Sequence, residues 1–110
     1  MTTADRRTMQ ALLDRPLDEL LEELDLYAPT RKGIGSTWKD IEAAVRQRLC
    51  VEWRWCELRQ DARWDDKVTL ALAVASALSQ PVLHLPFPAD LTLIAVIGVK
   101  MGLDWLCGCR

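Results

Sequence analysis

The chain has 110 residues, 50% of them hydrophobic and 27% charged, with a formal net charge of −2. That length fits one domain, 1–110, and not two independent cores, and the near-neutral charge excludes a general polyanion binder. The charge is unevenly placed: 26 of the 30 charged residues lie in 1–67, and 68–110 carry only Asp90, Lys100, Asp104 and Arg110, a composition that excludes disorder for the C-terminal part.

Residues 4–14 read as a short amphipathic helix with Met9, Leu12 and Leu13 as its apolar side. Pro16 suits a first helical position, where its missing N–H costs nothing. Leu17, Leu20, Leu21 and Leu24 then recur at i, i+3, i+4, i+7 with Asp18, Glu19, Glu22 and Glu23 opposite, and Ala28-Pro29 ends the element. Residues 28–36 read as a loop, after which Ser36 or Thr37 can cap the next helix.

Trp38, Ile41, Val45, Leu49, Trp53 and Cys56 follow at steps of three and four, which predicts one long helix over 37–60. Within it Val51, Trp53 and Trp55 alternate with Glu52 and Arg54, a strand period, but a lone strand has no partner in this chain. Residues 61–66 read as a polar turn in which Asp65 or Asp66 caps a helix over 67–79. That helix has Ala71, Ala73, Ala75 and Ala77 between its larger apolar side chains and can pack closely. Pro81, Pro86 and Pro88 interrupt the chain. A last helix, starting at Pro88 or Ala89, is expected to reach Cys107, and its first turns are apolar all round except for Thr92.

The expected fold is all-α: a small bundle of five to six helices with an apolar C-terminal helical pair as its core. The apolar runs at 68–78 and 91–99 are shorter than the roughly 20 residues that span a bilayer, so membrane insertion is not expected. A bundle of this size and helix count resembles the death-fold class of six-helix adaptors at the level of fold alone, with no shared motif.

No apolar run follows Arg6-Arg7, so no export leader is expected. The expected location is the cytoplasm, with Cys50, Cys56, Cys107 and Cys109 as reduced thiols. Cys50 and Cys56 lie about 240° apart on a helix and cannot jointly chelate a metal. Cys107-x-Cys109 offers two thiolates without a second pair, so no metal or other cofactor is expected. His84 is the single histidine, set between Leu83 and Leu85, and no nucleophile signature surrounds any cysteine.

Arg31, Lys32, Gly33, Gly35 and Ser36 form a possible anion loop at a helix start, although the lysine precedes the glycines and the phosphate-loop pattern is absent. Five of the seven aromatic residues are tryptophan. Trp53, Arg54, Trp55, Arg63 and Trp64 interleave indole and guanidinium groups, the side chains that anchor protein interfaces. Glu52, Glu57, Asp61, Asp65 and Asp66 lie among them and cancel the field that nucleic acid needs, so no nucleic-acid partner is expected. Neighbours two apart on a helix diverge by about 200°, so one of Trp53 and Trp55 is expected inside and the other either covered by a neighbouring helix or free for a partner. The functional expectation is a small cytoplasmic protein-interaction module, an adaptor or self-associating, without catalytic activity. The alternatives are a membrane-docked protein using 68–107 as a hairpin and a small ligand- or metal-binding subunit.

Overall fold

In the computed structural model, which describes residues 6–27, 35–86 and 89–109, the three- and four-residue stripes of the sequence become helices. α1 spans Arg6–Leu13 and buries Met9. Arg6 binds it to the start of a later helix by donating to Asp66 Oδ2 (2.6 Å) and Thr69 Oγ1 (3.0 Å). α2 spans Leu17–Asp25, one residue after Pro16, and buries Leu20 and Leu24 along its leucine stripe.

α3 spans Ser36–Arg46 and buries Trp38, Ile41 and Val45. Neither Ser36 nor Thr37 caps it through its side chain. Gly35, at φ 85°, is the N-cap residue. The buried Asp25 carboxylate of α2 accepts the N–H groups of Gly35 (3.0 Å) and Thr37 (3.1 Å) instead. A helix start leaves its first N–H groups unpaired, and here an anion from the preceding helix engages two of them.

The expected helix over 37–60 is interrupted. After Arg46 the chain widens into a π turn, Gln47–Glu52, with the Trp53 N–H donating to the Arg48 carbonyl at 2.9 Å. Arg54 takes left-handed φ 60°, and a short α4, Trp55–Leu58, follows. The apolar stripe persists to Leu49, which is buried. Beyond it the chain turns, because Trp53 and Trp55 pack together instead of continuing around one helix.

A 3-10 turn, Ala62–Asp65, leads to α5, Lys67–Ser79. Asp66 caps α5 by accepting from the Val68 and Thr69 N–H groups. Its far end is capped by a cation from the π turn: the Arg48 guanidinium donates to the carbonyls of Ala77, Leu78 and Pro81. A positive charge belongs there, because helix C-termini carry unpaired carbonyls and partial negative charge.

α6 spans Leu91–Met101 with Asp90 as its cap, and Leu93 through Val99 are all buried. It packs on α5, which buries Val68, Leu70, Ala71, Val74 and Leu78. α1 and α2 also lie against α6, and Lys100 Nζ donates to the Leu13 carbonyl at 2.7 Å. The expected single last helix breaks at Gly102, φ 101°, and a separate α7 covers Leu103–Cys107. The molecule is therefore all-helical, with seven α-helices where five or six were expected, and no strand among the described residues. Its Cα radius of gyration, 13.2 Å, is that of a compact chain of this length, about 13 Å.

Candidate functional site

The break at Arg54 brings three tryptophans together. The Trp53 and Trp55 rings lie on the same side and stack, with centroids 5.9 Å apart and planes 22° apart. Trp64, from the 3-10 turn, closes the cluster at 6.1 Å from Trp53 and 6.2 Å from Trp55. The expected divergence of Trp53 and Trp55 is thus corrected, since it assumed an unbroken helix. Trp55 is 5% exposed and Trp64 9%, while Trp53 is half-buried. Both buried indoles find partners: Trp55 Nε1 donates to Asp104 Oδ1 and Trp64 Nε1 to the Leu58 carbonyl, each at 2.8 Å.

The arginines of the cluster are outside it. The Arg63 guanidinium lies 4.8 Å from the Trp64 ring centroid, a cation–π distance, and pairs with Asp61 at 2.9 Å. Hydrogen bonds from the Arg63 backbone and side chain hold the Asp61 carboxyl below the usual carboxylate range. Arg54 pairs with Glu57 at 3.7 Å and Arg59 with Asp104 at 3.2 Å. Each of these cations faces a carboxylate, so the cluster presents little net field. Between it and α5 and α6 runs a cleft of about 500 Å³, walled by Trp55, Trp64, Arg59, Lys67 and Asp104.

The cysteines depart from expectation. They are two disulfides, Cys50–Cys107 and Cys56–Cys109, and none is free. Spacing along the chain concealed this, because each partner lies more than 50 residues away. The turn at Gly102 lays α7 beside the π turn and α4, which brings each pair of Cα atoms to within 5.4 Å. Both bridges therefore hold the end of the chain against the tryptophan-bearing segment.

A second surface went unnoticed in the sequence. Trp105 is 66% exposed and Val51 59% exposed. They line one hollow of about 450 Å³, together with Arg46, Gln47 and the Cys50–Cys107 bridge. A signal for it existed. Leu103 and Leu106 set the buried face of α7, and Trp105 lies well off it at 100° per residue. Val51 lies equally off the Val45–Leu49 stripe.

Arg31, Lys32 and Gly33 of the possible anion loop lie outside the described residues. Of the rest, the Gly35 N–H donates to Asp25 and Ser36 begins α3, so an N–H that would greet an anion already serves an internal carboxylate. His84 is exposed in the connection after α5, beside Val82 and Pro86. The chain matches no family model, no curated protein and no solved structure. The surface is therefore read from its own geometry.

Proposed function

We propose that the protein is a helical protein-interaction module that acts by self-association or as an adaptor, and that it performs no chemistry of its own on a substrate. The observation that carries this reading is the pairing of Trp105 and Val51, both exposed, in one hollow of about 450 Å³ with Arg46 at its rim. Tryptophan and arginine are the side chains that dominate interface energetics, and large apolar side chains exposed together on a small domain call for a cover.

Within this reading the residues singled out in the sequence take different parts. Trp55 and Trp64 are buried in the neighbouring tryptophan cluster and wall a separate cleft, and Arg54 and Arg63 pair with Glu57 and Asp61 outside the Trp105 hollow. The matched carboxylates at Glu57, Asp61 and Asp104 favour a protein partner over a nucleic acid. No helix among the described residues is long and apolar enough to cross a membrane, and α5 and α6 already spend their apolar faces on each other and on the remaining helices. The expected cytoplasmic setting presumes four reduced thiols, and the two bridges favour an oxidising compartment over it.

Light scattering across a wide concentration range tests the proposal. The expected result is a mass that rises with concentration for the wild type and stays monomeric for Trp105→Ser. Because Trp105 is mostly outside the fold, Trp105→Ser should change stability by less than about 0.5 kcal/mol. A wild-type chain that stays monomeric throughout and shows no Trp105-dependent capture of another protein would overturn the reading.

A further inference from the structure

The two disulfides are not placed alike. Cys50 and Cys107 line the open hollow that holds Trp105 and Val51, whereas neither Cys56 nor Cys109 lines it. All four residues are half-buried, so access to a sulfur is decided by what surrounds it. Arg46 lies in the same hollow, shared with Glu42 at 3.6 Å, and a nearby cation favours a thiolate leaving group.

The connectivity lets one bridge open without freeing the chain end. Cys56–Cys109 closes almost the same long loop as Cys50–Cys107, so opening the latter leaves the chain end tethered. Asp104 also keeps its bonds to Trp55 and Arg59 in α4 and just beyond it. What loosens is local. α7 is five residues long, hinged at Gly102, and Cys107 ends it next to Gly108 in a left-handed conformation.

We propose that Cys50–Cys107 is a reversible thiol–disulfide exchange site for a dithiol reductant, and that its reduction reshapes the Trp105 hollow while the rest of the fold stays closed. A thiolate of the reductant attacks one sulfur of the bridge. The S–S bond breaks and the other cysteine leaves as a thiolate that takes up a proton. The second thiol of the reductant then resolves the mixed disulfide. The net change is two protein thiols gained and one disulfide formed in the reductant, two electrons and two protons being transferred. The consequence for association rests on the reading of the hollow as an interaction surface; the exchange chemistry does not.

The test uses the oxidised full chain, graded dithiothreitol, quenching with iodoacetamide and mass mapping of the labelled peptides. Cys50 and Cys107 should be labelled at least tenfold faster than Cys56 and Cys109. Amide exchange in the singly reduced species should rise in 47–53 and 103–108 and stay unchanged in 70–78 and 93–99. First opening of Cys56–Cys109, simultaneous opening of both bridges with global exchange, or unchanged exchange around the hollow would each overturn the proposal. The paired variant Cys50→Ser with Cys107→Ser should reproduce the exchange pattern of the singly reduced species. Association is then measured for the oxidised chain, the singly reduced chain and Trp105→Ser. If Trp105→Ser leaves association unchanged, the reading of the hollow fails and the order of reduction stands. If Trp105→Ser abolishes association but single reduction does not alter it, control by the bridge is overturned.

Discussion

Asp25 illustrates how single residues organise this molecule. Its neighbours in sequence, Glu22 and Glu23, belong to the acidic face of α2, yet Asp25 is 2% exposed and accepts two N–H groups at the start of α3. Asp25→Ala leaves both N–H groups without that acceptor, and the expected loss is about 2 kcal/mol, measured by urea denaturation with an unchanged m-value. A loss below a few tenths would show that solvent takes over both donors. Asp66 is the exposed counterpart. The Arg6 guanidinium and the capped N–H groups of α5 hold its carboxyl below the usual range. A carboxyl whose folded pKa is depressed contributes stability that is present above its unfolded value, near about 3.9, and lost as pH falls through the folded one. The acid limb of a stability–pH profile should therefore flatten in Asp66→Asn. An unchanged limb would mean that the Arg6 contact does not persist in solution.

At the scale of elements, Arg54 decides where the long helix ends. An L-residue in the left-handed region costs roughly 1–2 kcal/mol, and glycine does not pay that penalty. Arg54→Gly should accordingly be neutral to about 1 kcal/mol more stable, since the partner Glu57 stands at 3.7 Å on an exposed surface and such pairs contribute little. Arg54→Val, β-branched at positive φ, should cost at least about 1 kcal/mol. Thermal melts of the two variants should thus move apart, and parallel shifts would mean that the turn adapts. The same element shows what the sequence pattern could carry. The stripe Trp38, Ile41, Val45, Leu49 is local and survives intact as the buried face of α3 and the π turn. The continuation through Trp53 and Cys56 matched the same spacing, but those side chains have partners on the 3-10 turn and, at Cys109, just beyond α7, which no helical period encodes.

For the whole molecule the disulfides dominate. They restrict the unfolded chain by closing separations of 57 and 53 residues, each equivalent to about 4 kcal/mol if it acted alone. They do not act alone, because the second bridge adds only a short ring of about ten residues once the first is made. Its increment falls to about 2–3 kcal/mol. Removing both should thus cost about 6–7 kcal/mol, more than twice the roughly 2–3 kcal/mol that removing either one costs, because the remaining bridge still closes the long loop. A denaturation series on Cys50→Ser/Cys107→Ser, Cys56→Ser/Cys109→Ser and the fully reduced wild type checks this. Strict additivity would contradict the shared-loop account. Because a domain of this size has about 5–15 kcal/mol in total, the fully reduced chain should be marginal.

The amino-acid sequence by itself determined the helical class, a carboxylate cap at Asp65 or Asp66 ahead of α5, and the apolar patterns that became α1, α2, α3, α5 and α6, although α6 begins at Leu91 behind Asp90 and not at Pro88 or Ala89. All of these are set by contacts within a few residues along the chain, so their periods are visible in it. Only the tertiary structure decided the rest. It decided that the last helix turns at Gly102, that four cysteines expected as reduced thiols lie in two bridges, and that Trp53 and Trp55 share one cluster. It also decided that the exposed tryptophan is Trp105. The bridges and the bonds that seat α7 depend on partners some fifty residues distant, and the tryptophan cluster on the break at Arg54 and on Trp64, none of which a helical period along the chain records.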